Sequence, residues 1–225
     1  MLFAAGLGKR MGALTRDRPK PLIMVGDRPL IDHALEMATN ADIDPVVVNT
    51  HYRHEALAAY LDGHAKNLRI SREIPDLLET GGGLRAALPL LGNSPVFTLN
   101  SDAVWVGENP LLALRNAWDP EIMDGLLLLL PRKNALGHKG QGDFLLDPDG
   151  RITRGAGLVY SGAQIIRTEL LARIPEKVFS LNRLWDMLIK RQRLFGLVYK
   201  GQWCDVGYPE AITTAENLLR EHSDA

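Results

Sequence analysis

The sequence predicts an α/β protein with a Rossmann-like, three-layer αβα arrangement, in which helices cover both faces of a mixed, mostly parallel central sheet. Short apolar segments alternate with helical patterns through the first 130 residues. Several of these segments, such as Val46-Val47-Val48, are apolar at consecutive positions, which is typical of strands buried on both faces. A glycine-bearing loop follows the first segment, as expected for a ligand site at the end of a parallel strand.

Strands are predicted in the first part of the chain at residues 2–5, 45–49, 68–73, 96–100 and 125–130. Helices are predicted between them at residues 31–40, 54–61, 83–90 and 110–118. Because strands and helices alternate, the crossovers are expected to be right-handed and ligands to bind at the carboxyl ends of the strands.

The pattern changes after residue 131. Residues 144–146 and 151–153 flank a turn and predict a β-hairpin. A strand at 159–166, helical segments at 168–173 and 181–191, a strand at 195–199 and a helix at 209–221 complete the chain. No linker separates the two parts, so we predict a single domain over residues 1–225, with a small subdomain formed by its second part.

The composition limits the function. The formal net charge of −1 over 225 residues does not favour a nucleic acid or an anionic membrane as partner, so any anion must be bound locally. A lone cysteine, Cys204, excludes an internal disulfide and favours a reducing compartment, the cytoplasm. No membrane span or signal peptide is expected, although the short first strand leaves open a start a few residues upstream.

The glycine loop has the composition of a phosphate site. Gly6 and Gly8 permit a tight backbone whose N–H groups can converge on phosphate oxygens. Lys9, Arg10 and Lys20 add positive charge. The spacing does not fit a Walker A loop, because Arg10 follows Lys9 where Ser or Thr is required. A turn with solvated basic residues remains the alternative.

A dinucleotide-binding loop is also a poor match. Met11 stands where the third glycine of that fingerprint belongs, and Asn49 ends the second strand where an acid is expected.

A longer pattern is more specific. Ala4-Ala5-Gly6-x-Gly8-x-Arg10-Met11, followed by Pro19-Lys20-Pro21-Leu22, resembles the signature of the sugar-1-phosphate nucleotidyltransferases, and the resemblance extends over essentially the whole chain. It implies the nucleotide-diphospho-sugar transferase fold, with a nucleotide-binding half at residues 1–130. The half at 131–225 would bind the sugar and supply a second metal ligand. The implied partners are a nucleoside triphosphate, a sugar 1-phosphate and Mg²⁺.

Further motifs fit this resemblance. The segment Leu78-Glu79-Thr80-Gly81-Gly82-Gly83 resembles the loop that recognises the nucleobase, although a flexible loop before a helix would look similar. Asp102 follows a central strand and matches the metal-binding aspartate of the family, but a helix N-cap is equally common there. Trp203-Cys204-Asp205-Val206-Gly207 resembles the W-x-D-x-G motif that supplies the second carboxylate; an exposed turn is the alternative.

The resemblance assigns each candidate a role. Arg10, Lys20 and Asp102 are expected to be catalytic, and Asp102 and Asp205 to bind the metal. The expected nucleotide-binding residues are Ala5, Gly6, Gly8, Lys9, Arg10, Lys20, Glu79, Gly81, Gly82 and Asn100. The expected sugar-binding residues are Gly140, Asp143, Ser161 and Gly162, of which Asp143 could equally be a solvated hairpin residue.

Residues 78–83, 86–92 and 138–144 most resemble the group that uridylylates N-acetylmuramate 1-phosphate in cell-wall recycling. Ser101 departs from that group, which has glycine before the aspartate. Mannose-1-phosphate guanylyltransferase and glucose-1-phosphate thymidylyltransferase are the alternatives within the family. A non-catalytic nucleotide-sugar sensor is the alternative of another class. We expect a monomer or a small homo-oligomer.

Overall fold

The computed structural model describes residues 1–64 and 67–223. Its centre is a seven-stranded sheet. The order of its strands is β13 (Leu194–Val198), β8 (Gly125–Leu130), β12 (Val159–Ile166), β6 (Val96–Asn100), β1 (Leu2–Phe3), β4 (Val46–Thr50) and β5 (Leu68–Arg72). Neighbouring strands in the β6-β1-β4-β5 part are parallel, and so are β13 and β8. Only β12 is antiparallel to its neighbours, β6 and β8. The predicted mixed, mostly parallel sheet is therefore confirmed.

The smaller sheets contain β2 (Met24–Val25), β3 (Arg28–Pro29), β7 (Ala103–Val106), β9 (Ala135–Leu136), β10 (Phe144–Leu146), β11 (Ile152–Arg154) and β14 (Gln202–Asp205). The α-helices are α1 (Leu30–Asn40), α2 (His54–Leu61), α3 (Glu79–Leu91), α4 (Pro110–Ala117), α5 (Asn182–Lys190) and α6 (Glu210–Ser223).

Hydrophobic clusters lie on both faces of the central sheet. One cluster joins the sheet to α1, α2 and α4, and includes Ile31, Leu57 and Leu114. The other joins it to α3 and α5, and includes Leu84 and Leu184. Every residue of β8 is buried, as its run of leucines predicts for a strand covered on both sides. Together these layers give the αβα arrangement.

A second, three-stranded sheet was not predicted. It has the order β7-β14-β9, with β14 antiparallel to β7 and parallel to β9. It packs against α6 through a third cluster that contains Val104, Cys204 and Leu218. Both this sheet and the central sheet contain strands from both halves of the chain, so neither half has a sheet of its own among them.

Apart from the start of α3, the predicted elements are present with bounds shifted by no more than two residues, and the hairpin of β10 and β11 is confirmed. The segment predicted as helical at 168–173 forms a 3₁₀ helix at Glu169–Arg173. Helix α3 begins at Glu79, four residues before its predicted start, so the glycines expected in a loop lie in its first turns. Within the described residues, no helix is long and apolar enough to cross a membrane.

Candidate active site at the carboxyl edge of the central sheet

The carboxyl ends of β1, β4 and β6 surround a cleft of about 240 Å³. Parallel strands end at the same edge of a sheet, which is where ligands bind in open α/β folds. Of the predicted nucleotide-binding and catalytic residues, those that line the cleft are Ala5, Gly6, Lys20, Glu79, Asn100 and Asp102. The structure thus brings together residues from three separate segments of the sequence.

The glycine loop runs from the end of β1 into a 3₁₀ helix at Lys9–Thr15. Gly8 has a φ of 62°, and a Cβ there would lie 2.8 Å from Cγ2 of Thr15, so only glycine fits. The hydroxyl of Thr15 donates to the carbonyl of Gly8 over 3.1 Å and holds the turn. Within residues 1–64 and 67–223, no hydrogen bond occupies the amides of Gly6 and Gly8. Both amides are available to an anion.

Lys20 follows the extended Pro19 and begins a second 3₁₀ helix. Its ammonium lies 2.7 Å from Oδ2 of Asp102, with only 11% of the side chain exposed. The pair joins the glycine-loop segment to the end of β6. A buried cation beside a carboxylate at the floor of the cleft is suited to exchange that partner for a phosphate oxygen.

Strand pairing brings Asp205 close to Asp102. Asp205 at the end of β14 pairs with Ala103, the residue after Asp102, and the amide of Val206 donates to the Asp102 carbonyl over 2.9 Å. Burial raises the pKa of Asp205 and the Asp102 charge raises it further, whereas Lys20, Arg10 and His138 oppose the rise. The two expected metal ligands therefore lie within each other's field.

The donor set fits a magnesium ion. Mg²⁺ is usually held by one or two carboxylates together with phosphate oxygens and water. Asp102 and Asp205 supply two carboxylates whose mutual repulsion a divalent cation would relieve. Among the described residues there is no group of three or more His, Cys, Asp or Glu side chains that could hold a metal.

Arg10 and Asp205 both lie against Gly207. A Cβ on Gly207 would lie 2.9 Å from Oδ2 of Asp205 and 3.1 Å from Nη1 of Arg10, so the glycine of the W-x-D-x-G motif leaves room for both groups. The Arg10 guanidinium also lies 5.1 Å from the ring centroid of Tyr208. Lys9, predicted to bind nucleotide, is exposed and does not line the cleft.

Asn49 and Glu73 were not predicted as site residues, although both line the cleft. Asn49 accepts a hydrogen bond from the Ala4 amide and donates one to Oε1 of Glu73, both over 2.7 Å. Oε2 of Glu73 accepts from the Leu78 amide over 2.7 Å. This buried chain of bonds fixes the start of the glycine loop relative to the start of α3. A polar residue within an apolar strand was the available signal for Asn49.

The glycines of α3 have a packing role that the sequence did not indicate. The amides of Gly81 and Gly82 both donate to the Phe179 carbonyl, over 2.9 and 3.0 Å. A Cβ on Gly82 would lie 2.5 Å from the Lys177 carbonyl oxygen. Both glycines lie outside the residues that line the cleft. Their close approach is to segment 177–179 of the second half, and a role in nucleotide binding stays a prediction.

Three of the predicted sugar-binding residues lie on or beside β12. Gly162, with a φ of 85°, sits at the irregularity in β12, and a Cβ there would lie 2.7 Å from Cγ of Asn100. Ser161 is fully buried and donates its hydroxyl to the Leu128 carbonyl. Asp143 accepts from the Tyr160 amide over 2.8 Å. Of these three, Gly162 is brought directly against a cleft residue.

Gly140, the fourth predicted sugar residue, lies in the loop between β9 and β10, and a Cβ there would lie 2.5 Å from Nε2 of His138. His138 is close enough to Asp205 for its charge to lower the pKa of that carboxyl. The loop therefore lies close to Asp205.

Two residues beside the carboxylates are structural. Ser101, the departure from the expected glycine, donates its hydroxyl to the Phe3 carbonyl over 2.7 Å and ties β6 to β1. Cys204 is fully buried, and burial, assisted by the Asp205 charge, raises the pKa of its thiol to about 12. A thiol with that pKa is protonated near neutral pH, so Cys204 is a packed residue rather than a nucleophile.

Comparison with known proteins identifies the family. Residues 1–131 match the family described as the MobA-like NTP transferase domain. The N-acetylmuramate alpha-1-phosphate uridylyltransferase of Caulobacter vibrioides is 41% identical over 233 residues, which cover 98% of this chain and 96% of that protein. The chain belongs to the MobA-like NTP transferase family. The predicted enzyme class, a sugar-1-phosphate nucleotidyltransferase, is confirmed.

Two further matches agree. The enzyme of the same name from Neisseria meningitidis is 34% identical over 229 residues, covering 97% of this chain and 96% of that protein. A crystal structure of a putative glucose-1-phosphate thymidylyltransferase from Bacillus anthracis, in complex with a sucrose, superposes with a TM-score of 0.79 at 18% identity. It covers 98% of this chain and 94% of that one, and supports the predicted fold.

Proposed function

We propose that the protein transfers a uridylyl group from UTP to N-acetylmuramate 1-phosphate and releases pyrophosphate, in the cytoplasm and as part of peptidoglycan recycling. The observation that carries the reaction type is the convergence of Lys20, Asp102, Asp205 and Arg10 at the edge of the cleft. The choice of UTP and of this sugar rests on the near full-length similarity to two uridylyltransferases.

The nucleophile needs no general base. An oxygen of the sugar phosphate is already ionised at neutral pH and attacks the α-phosphorus in line. The bond from the α-phosphorus to the bridging oxygen breaks, and its electron pair leaves with pyrophosphate. The main barrier is electrostatic, because two anions must approach and charge moves onto the leaving group.

Each cationic residue stabilises part of this negative charge. Lys20 neutralises oxygens of the α-phosphate and the sugar phosphate, after exchanging its bond to Asp102 for a bond to phosphate. Arg10 stabilises the charge that develops on pyrophosphate. The free amides of Gly6 and Gly8 donate to phosphate oxygens. Asp102 and Asp205 would hold Mg²⁺, which, when bound, supplies positive charge to the reacting phosphates and orients them.

The cleft residues Glu79 and Asn100 are proposed to contact the nucleotide. Gly140, Asp143, Ser161 and Gly162 are proposed to border the sugar, with Gly162 set against Asn100. The protein is proposed to act as a monomer or small homo-oligomer.

A substrate panel tests this proposal. Purified protein is incubated with UTP, GTP or dTTP and with the 1-phosphates of N-acetylmuramate, mannose or glucose, with Mg²⁺, and pyrophosphate release is measured. We expect the fastest release with UTP and N-acetylmuramate 1-phosphate. A preference for GTP with mannose 1-phosphate, or dTTP with glucose 1-phosphate, would replace the proposed substrate. Tight nucleotide binding without release for any pair would indicate a sensor.

Variants test the residues. Lys20→Ala and Asp102→Ala should each lower turnover by about 10²-fold or more, since each removes a charge that stabilises the transition state. Lys190→Ala, which removes an exposed lysine at the end of α5, is the matched control and should retain turnover. Undiminished turnover of the Lys20 and Asp102 variants would exclude these roles.

A further inference from the structure

Tyr208, the residue after the W-x-D-x-G motif, has two cationic neighbours. The ammonium of Lys139 lies 3.9 Å from the centroid of its ring, and the Arg10 guanidinium carbon lies 5.1 Å from the same centroid. Arg10 comes from the glycine-loop segment and Lys139 from the loop between β9 and β10. One aromatic ring thus carries cations from both halves of the chain, each within cation–π distance.

These two cations lack an acidic partner at bonding distance. Within the described residues, no carboxylate oxygen lies within 4.0 Å of the charged nitrogens of Arg10 or Lys139. Two like charges near one ring repel each other, and a ring quadrupole offsets this only in part. An anion that contacts both cations would reduce this repulsion further.

The surroundings hold this arrangement in place. The Tyr208 carbonyl accepts from the Ala211 amide over 3.1 Å, which ties Tyr208 to the start of α6. The buried Gly207 leaves room for the Arg10 guanidinium next to Asp205. In the other loop, a side chain on Gly137 would collide with the Asp205 carbonyl, so the segment carrying Lys139 packs directly on β14.

We propose that Tyr208 is a positioning residue that holds Arg10 and Lys139 together, and that both cations bind the β- and γ-phosphates of the nucleotide. The inference rests on the proposed function, since it assigns a further contact to the same triphosphate. Lys139 thus gives the second half of the chain a contact with the pyrophosphate leaving group. A compact, multiply charged diphosphate can accept hydrogen bonds from both the arginine and the lysine that contact this ring.

Binding measurements separate this role from a structural one. Affinities for UTP and for UMP are measured by calorimetry, with Mg²⁺ and without sugar phosphate, for the natural protein and for Tyr208→Phe, Tyr208→Leu and Lys139→Met. Tyr208→Leu and Lys139→Met should each weaken UTP binding about tenfold, which corresponds to about 1.4 kcal/mol. Tyr208→Phe keeps the ring and should bind UTP within about twofold of the natural protein. UMP, which lacks the β- and γ-phosphates, should bind equally to all four.

Three results would overturn the proposal: unchanged UTP affinity in Tyr208→Leu, equal losses in Tyr208→Phe and Tyr208→Leu, or an equal loss of UMP affinity. Thermal unfolding of each variant checks that it is folded. Because the titration needs no turnover, it remains decisive if no sugar phosphate is a substrate. If another triphosphate binds better than UTP, that triphosphate and its monophosphate replace UTP and UMP in the same design.

Discussion

Replacing Glu73 by glutamine tests whether the buried bonds between β4, β5 and α3 stabilise the site. Both oxygens of Glu73 accept hydrogen bonds over 2.7 Å, one from Nδ2 of Asn49 and one from the Leu78 amide. Glutamine has only one oxygen, so its NH₂ group must face one of these donors. Asn49 cannot rotate to present its own oxygen, because that oxygen accepts from the Ala4 amide. One buried donor is therefore left without an acceptor.

The magnitude follows from these bonds. A hydrogen bond to a charged group contributes about 1.5–3 kcal/mol, and an unsatisfied buried donor costs about 1–3 kcal/mol. These two contributions are partly the same free energy, so we expect the free energy of unfolding to fall by about 3 kcal/mol. For a domain of this size, that lowers Tm by about 6–12 °C. The free energy of unfolding is measured in urea and Tm by calorimetry.

Glu55→Gln is the matched control. Glu55 also accepts a hydrogen bond, from Nη2 of Arg72 over 3.0 Å, but 78% of its side chain is exposed. Its Tm should change by less than about 1 °C, because exposed ion pairs contribute little. A Tm for Glu73→Gln that stays within about 1 °C of the natural protein would refute the reasoning, since it would mean that the buried bonds are replaceable.

Other substitutions test separate features. Gly82→Ala places a Cβ 2.5 Å from the Lys177 carbonyl oxygen and should lower Tm by several degrees in the absence of nucleotide; an unchanged Tm together with weaker nucleotide binding would favour the ligand role instead. Gly207→Ala should lower kcat about tenfold or more with little change in Tm, because its Cβ would displace Asp205 or Arg10 rather than core atoms; a kcat equal to that of the natural protein contradicts this. Burial lowers the pKa of His33, whose Nε2 lies 3.1 Å from the Val25 carbonyl, so the unfolded chain takes up a proton before the folded one as pH falls below about 6.5. The stability that the neutral His33 side chain contributes should be fully present above that pH and decline below it. The free energy of unfolding in urea, measured at pH 7.5 and 5.5, should fall less on acidification for His33→Gln than for the natural protein. Equal falls in the two proteins would exclude His33 as the cause.

The central part of the fold was accessible from sequence because it depends on local patterns. Apolar segments such as Gly125–Leu130 can be read directly as buried strands, and the site at their carboxyl ends follows from the topology. The position of Asp102 after β6 is an example. The bounds of α3 were wrong at its start, because glycine favours a loop locally. The glycines are accommodated in the helix by contacts with Phe179, about a hundred residues away, and sequence patterns do not reveal such distant contacts.

The small sheet β7-β14-β9 shows what local reasoning could not supply. Its strands are short and come from both halves of the chain, so no periodicity connects them. Yet their pairing places Asp205 beside Asp102. The W-x-D-x-G resemblance indicated Asp205 but not the strand pairing that positions it. It also stopped one residue before Tyr208, whose two cationic neighbours are visible only once the chain is folded.

Strand pairing has a consequence for how this site works. Asp102 and Asp205 lie on hydrogen-bonded neighbours and are joined by the Val206 amide, so their separation is set by rigid elements. Arg10 and Lys139, in contrast, lie on an exposed 3₁₀ segment and a loop, and are held by one ring. The two carboxylates are therefore held in a fixed arrangement, which suits the metal-binding role proposed for them, whereas the two cations are freer to adjust to the phosphates they are proposed to bind. Loss of the Tyr208 ring should consequently affect triphosphate binding more than the step that Asp102 and Asp205 are proposed to assist.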